Sequence, residues 1–175
     1  MNKPTSLKFN TFNPRRNLPP ETGRKRGEAN FLGAFERHLT SSVFKSGYGG
    51  RNFSLFNYGI ADLVWFLPPK KDPNDHIKAT LYAFETKLEN WKRAFQQAYR
   101  YSFYSDIAFV VLPQNKSKSA LDNVDLFQLH GIGLWFFNKD DSSIEEAFTP
   151  PKSTARNPDA RQKAIDIISA KINFR

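Results

Sequence analysis

Three residues near the middle of the chain are of types that do chemistry together: Asp62, Glu85 and Lys87. Asp62 interrupts the apolar run Gly-Ile-Ala-Asp-Leu-Val-Trp-Phe, and Glu85 interrupts Leu-Tyr-Ala-Phe-Glu-Thr-Lys. A charge inside an apolar strand is costly unless it is paired or holds a metal. Side chains two apart on a strand share a face, so Glu85 and Lys87 point one way and Phe84 and Thr86 the other. Two carboxylates on neighbouring strands repel each other, and a hard divalent cation such as Mg²⁺ between them relieves the repulsion. Such a cation polarises a phosphoryl oxygen and makes a bound water more acidic. A nearby ammonium can orient or help deprotonate that water and offset phosphate charge. These are the parts that phosphodiester hydrolysis needs. The same residues also fit a plainer arrangement, with Glu85 and Lys87 as a surface pair at a strand end and Asp62 capping a turn.

The elements that would position them can be read from periodicity. Phe31, Leu32, Phe35 and Leu39 predict a helix from about Gly27 to about Thr40. Gly47, Gly49 and Gly50 predict a loop, residues 52–58 a strand, and Gly59 a turn. Strands follow at Ile60 to Leu67 and Thr80 to Lys87, separated by a polar loop from Pro68 to Lys78. A second helix is predicted from about Glu89 to about Tyr104. It carries Trp91, Phe95, Ala98 and Ser102 on one face, and Arg93, Gln97, Arg100 and Tyr104 on another. Ile107 to Leu112 reads as a buried parallel strand ended by Pro113. A short helix (about Ala120 to Leu129) leads to Gly131 as C-cap, and Ile132 to Phe137 is a fifth strand. Residues 138–156 read as a linker. Asn157-Pro158 starts a last helix whose apolar stripe is Ala164, Ile165, Ile168 and Ile172. This order predicts one α/β domain, a mixed central sheet flanked by helices, with an extra C-terminal helix.

Composition narrows the class. The 175 residues suit one domain, and the 17 Phe can build a dense core. No cysteine is present, which excludes a disulfide scaffold and thiolate chemistry and fits a reducing compartment. No stretch is long and apolar enough to span a bilayer, and residues 1–26 lack the apolar core of a signal peptide, so a cytoplasmic protein without a membrane partner is expected. The net charge is +9 and sits at the ends. Residues 1–26 hold seven Lys/Arg against Glu21 alone, and residues 152–175 hold six against Asp159 and Asp166, leaving the stretch between near neutral. Residues 1–26, broken by Pro4, Pro14, Pro19 and Pro20, read as a flexible basic arm ending in Arg24, Lys25 and Arg26. Basic ends on a neutral body suit a phosphate backbone, and they also suit mere solubility.

With helix, three strands, helix and strand around an Asp and a Glu-X-Lys, the chain resembles the PD-(D/E)XK, or restriction-endonuclease-like, superfamily. The resemblance covers roughly residues 27–137, a nuclease-like core, and is most specific from Glu85 to Pro113. It implies an αβββαβ core and a metal-dependent endonuclease acting on nucleic acid, with DNA the expected substrate. Asp62, Glu85 and Lys87 match the family's catalytic motifs, Asp62 and Glu85 as ligands of Mg²⁺, for which Mn²⁺ can substitute. Gln97-Ala-Tyr-Arg-Tyr101 is similar to the Gln-X-X-X-Tyr motif of some branches, and it suggests a catalytic Gln97 and a nucleic-acid contact at Tyr101. Glu28 matches the acid often found on the first helix, a further metal ligand, although Glu36 on the same helix competes for that part. Ala61 stands where the family often has Pro.

Arg24, Lys25, Arg26, Arg93 and Arg100 are the expected nucleic-acid contacts, Arg93 and Arg100 fitting a solvated helix face equally well. His38, His76 and His130 lack metal-ligand spacing. Gly131-Ile-Gly133 lacks the rest of a dinucleotide fingerprint, and no nucleophile elbow is present. Cutting both strands of a duplex would need two sites, and hence a homodimer. The alternative to an enzyme is a nucleic-acid-binding module on the same fold without important cleavage.

Overall fold

The computed structural model describes residues 3–9, 26–69 and 79–173. Its elements are β1 (Thr5–Lys8), α1 (Arg26–His38), a π-helical turn (Leu39–Val43), β2 (Tyr48–Leu55), β3 (Gly59–Leu67), β4 (Thr80–Thr86), α2 (Trp91–Tyr101), β5 (Ile107–Pro113), α3 (Lys118–Leu121), α4 (Val124–His130), β6 (Ile132–Asn138), β7 (Ser143–Phe148) and α5 (Pro158–Asn173). The seven strands form one mixed sheet in the order β1-β2-β3-β4-β5-β6-β7. β2, β3 and β4 pair antiparallel, β4, β5 and β6 pair parallel, β1 lies parallel to β2, and β7 lies antiparallel to β6. The chain is thus a single α/β domain, as the order of elements predicts.

Each face of the sheet is covered by helix. On one side Phe31, Leu32 and Phe35 of α1, with Leu39 just beyond it, pack against Leu63, Trp65, Phe84, Phe109, Val111, Trp135 and Phe137. On the other side lie Ala94, Ala98 and Tyr101 of α2, Phe127 of α4, and Ala160, Ala164 and Ile168 of α5. The two alanines of α2 let that helix lie close over β3, β4 and β5. α2 begins at Asn90, whose side chain accepts from the Arg93 N–H at 3.1 Å. Asn157 caps α5, accepting from the Asp159 and Ala160 N–H groups at 3.1 Å. Gly131 ends α4 in the left-handed region, with φ 62°. No described helix is long and apolar enough to cross a membrane.

Several expectations need correction. The arm expected over residues 1–26 contains a strand, Thr5–Lys8, with Leu7 buried. Four residues with one core side chain give too little alternation to see. The linker expected over 138–156 contains β7, an acid-rich edge strand whose residues are mostly exposed or half-buried, so its pattern resembles a loop. Gly49 and Gly50 lie inside β2, not in a loop; a Cβ on Gly49 would sit 2.2 Å from the Trp65 ring, so glycine there admits a neighbouring side chain. The helix expected from Ala120 to Leu129 is two short pieces, α3 and α4. The second helix, expected to run to about Tyr104, ends at Tyr101, and Tyr104 beyond it is fully buried.

The C-terminal segment is also not a free basic surface. Arg161 of α5 donates to both oxygens of buried Asp106, at 2.7 and 2.9 Å, and to the Ala79 carbonyl at 2.9 Å. Arg156 lies over the Tyr99 ring, 4.9 Å from its centroid, and donates to Ser102 and the His130 carbonyl. Asp106 also accepts the Leu81 N–H at 2.8 Å, so this ion pair fastens α5 to the start of β4 and β5. Arg161→Ala would leave a buried carboxylate without its cation. The expected loss is about 3 kcal/mol, read as a lower urea midpoint at unchanged slope. An unmoved midpoint would show that α5 is not part of the cooperative unit.

Candidate active site

The site begins where two strands part. The β3–β4 ladder runs from Leu67↔Thr80 to Leu63↔Phe84 and stops. The same register carried one step further sets Asp62 opposite Glu85. β4 meanwhile stays with β5, through Thr86↔Val111 and a Lys87 N–H to Val111 carbonyl bond of 3.2 Å. Because the Lys87 N–H faces β5, the Thr86 N–H faces β3. There it finds the Asp62 carboxylate instead of a backbone partner: Asp62 Oδ2 accepts from Thr86 N at 2.9 Å and from Thr86 Oγ1 at 2.7 Å. β3 is itself irregular at this point. Ala61 packs on the α2 side and Leu63 on the α1 side, and Asn52 of β2, opposite Asp62 in register, has φ 56°. Asparagine is among the few residues that enter that region at modest cost.

Glu85 is fully buried, on the face covered by α2. Its Oε1 accepts from Lys87 Nζ at 2.6 Å, as the shared strand face predicts. Its Oε2 lies 2.7 Å from the Tyr101 hydroxyl, and that hydroxyl also lies 2.6 Å from the Ile60 carbonyl. A phenol has one proton and cannot donate fully to both. The Tyr101 hydroxyl therefore shares its one proton between the Glu85 carboxylate and the Ile60 carbonyl. Burial, and then the Asp62 charge, push the Glu85 pKa up to about 7. Burial pulls the Lys87 pKa down, but Glu85, Asp62 and Glu28 outweigh it and hold the ammonium above its ordinary value. Tyr101 is raised by burial and by Glu85, and stays neutral.

Asp62, Glu85 and Lys87 are therefore together, as expected. Gln97 lies one turn before Tyr101 on α2, half-buried, and its Oε1 is buried without a hydrogen-bond partner. Tyr101 needs correction: it is 0% exposed, so it holds Glu85 rather than offering a surface to nucleic acid. Glu28 is half-buried and close enough to act on Lys87, but it does not join the carboxylate pair; among the described residues no three His, Cys, Asp or Glu side chains form a metal-binding group. Lys87, which senses all three acids, already engages Glu85. Glu36 forms an ion pair with Arg51, which removes it as a competitor. Arg26, Arg93 and Arg100 are exposed, while Arg24, Lys25 and His76 lie outside the described residues. His38 and His130 pack against aromatic rings.

Two participants were not foreseen. Strand alternation turns Thr86 away from Glu85, yet it holds Asp62, because the β3–β4 ladder stops at Leu63↔Phe84 and β3 is irregular at Asp62. Tyr104 is fully buried beside Glu85, its hydroxyl without a hydrogen-bond partner; only its spacing from Tyr101 hinted at that.

The donor set is of hard oxygens. Mg²⁺ is commonly held by one or two carboxylates, its other positions going to water and substrate phosphate. An Asp62–Glu85 pair that repels itself fits that ion, and it does not form a closed three-carboxylate cage with Glu28. Comparison with known proteins finds no matching family model, no similar curated protein and no similar solved structure.

A raised carboxyl pKa stabilises the fold where the proton is bound, so this stabilisation is present at low pH. It is lost as pH rises from near 4.5 through about 7. In EDTA, the urea stability of Glu85→Gln should lack the decline that the wild-type protein shows across that window. Parallel profiles for the two proteins would mean that Glu85 ionises in the fold as it does in the unfolded chain.

Proposed function

We propose that the protein is a metal-dependent nuclease that hydrolyses phosphodiester bonds in DNA, built on a restriction-endonuclease-like αβββαβ core. The observation that carries this reading is the convergence of Asp62, Glu85 and Lys87 at the splayed ends of β3 and β4, with a cation bonded to one of two buried acids and held by the charge of both. The Thr86 hydrogen bonds account for Asp62, but they do not account for burying Glu85 beside it, where each charge works against the other. The sequence α1, β2, β3, β4, α2, β5 around that point supports the same reading.

In this proposal Asp62 and Glu85 hold Mg²⁺, with Mn²⁺ as a substitute, which supplies Lewis acidity toward a phosphoryl oxygen and a more acidic water. Thr86 fixes the Asp62 carboxylate by two hydrogen bonds, and Tyr101 and Lys87 fix the two oxygens of Glu85. Lys87 keeps its proton and acts as a cation and donor, orienting the attacking water and offsetting charge that builds on the phosphoryl group. Gln97, whose buried carbonyl has no partner among the described residues, accepts a hydrogen bond from water or substrate. Exposed Arg93 and Arg100 on α2, with Arg26, offer the phosphate backbone its countercharge.

The test is cleavage of linear, single-stranded and branched DNA, and of RNA, with Mg²⁺, Mn²⁺ or EDTA. Asp62→Ala and Lys87→Ala should each lower the rate by at least about 100-fold while urea melts show a folded protein. Wild-type rates from either variant would sink the proposal. Metal-independent binding without cutting would instead favour a nucleic-acid-binding module.

A further inference from the structure

The turn between β2 and β3 carries an exposed aromatic ring beside the proposed cleavage centre. The tip is Phe56-Asn57-Tyr58, closed by the Tyr58 N–H to Leu55 carbonyl bond of 3.0 Å. Asn57 has φ 70° and Gly59 φ 90°, so the tip uses residues suited to that tight conformation. Tyr58 fastens it to the body. Its hydroxyl accepts from Asn157 Nδ2 at 3.0 Å, and its ring lies 5.8 Å from Phe103 and 6.1 Å from Tyr104. Phe56 is left 79% exposed, with Ile60 next along at 43%.

A lone exposed apolar side chain is ordinary, and Leu129 on α4 is equally exposed. The position of Phe56 separates it from Leu129. The Ile60 carbonyl accepts from Tyr101, the residue that holds Glu85. Ile60 is two residues from Asp62, about 7 Å along a strand, which is about two base-pair rises. The Arg100 guanidinium reaches the same turn, 4.0 Å from where a Cβ of Gly59 would stand. An exposed ring on an anchored turn and a neighbouring cation thus stand at the end of β3 that leads to Asp62.

We propose that Phe56 is a stacking platform for an unpaired base a few nucleotides from the cleaved phosphate, so that the substrate is single-stranded or branched DNA rather than continuous duplex. This rests on the nuclease reading for its substrate. Arg100 holds the phosphate beside that base, and Ile60 covers its edge. A base already out of the helix stacks on Phe56 without further cost, while a base in duplex must first leave its own stack.

The experiment measures binding by the full chain in EDTA, using oligonucleotides with 2-aminopurine in a single strand, at the unpaired position of a flap, and inside a duplex. Phe56→Ala should weaken binding of the first two by about tenfold, remove the emission change caused by stacking, and leave duplex binding unchanged. Phe56→Trp should preserve all three, and Leu129→Ala should change none. Wild-type binding by Phe56→Ala, or equal weakening on duplex, overturns the proposal. The two readings fail separately. If Lys87→Ala stops cutting while Phe56→Ala binds and cuts normally, the nuclease stands and the platform falls. If the wild-type protein stacks the probe but cuts nothing with Mg²⁺, the platform stands and the nuclease falls. No binding to any probe at low salt overturns both.

Discussion

The parting of β3 from β4 at Asp62 is the constraint on which the rest of the site depends. Up to Leu63↔Phe84 the backbones satisfy one another; beyond it a side chain takes over, and Asp62 accepts the Thr86 N–H that β3 no longer serves. A buried N–H without a partner is expensive, as is a buried carboxylate, and each removes the other's cost. The charge at Asp62 is in this sense required by the opening of the sheet. The opening in turn brings Asp62 and Glu85 side by side, where alternation within an unbroken ladder would have filled the space with backbone bonds.

From that point the network extends by necessity. Glu85 feels Asp62 and is fully buried, so it must share a proton, find a cation, or both. Lys87 serves one oxygen and Tyr101 the other. α2 can present Tyr101 at the right height because Ala94 and Ala98 bring the helix close to the sheet, and because Tyr101 also reaches the Ile60 carbonyl at the end of β3. One hydroxyl thus ties together the helix, β4 and the loose end of β3. On the proposed reading, the same arrangement that makes this site tolerable without a metal sets the geometry in which a metal would be received.

The central strands and flanking helices were legible because their burial is written in composition: Ile107 to Leu112 and Ile132 to Phe137 are apolar without a break, and α1 shows a clear stripe. Asp62, Glu85 and Lys87 stood out because charge is rare in such runs. What sequence hid has a common cause. β1 and β7 are edge strands with few buried residues, so little distinguishes them from loops. Thr86 and the fully buried Tyr101 depend on where a ladder ends and how closely a helix lies, which are properties of several segments at once. The basic C-terminal segment misled for a similar reason, since charge counts cannot tell that Arg161 is spent on Asp106.

The strand order in space is the strand order along the chain. No strand of the described sheet has to be threaded between two others already in place. Each docks on its predecessor, even where the connection is long, as from β1 to β2, where Thr5 pairs with Tyr48; closure entropy grows only slowly with that length. α5 differs in kind: its Arg161 reaches back fifty-five residues to Asp106 and eighty-two to Ala79. The sheet, with the splayed strands inside it, is thus made of neighbours in sequence, and α5 is the clasp that ties the far end of the chain to its middle. The acid pair is built by the first kind of contact and the domain is secured by the second.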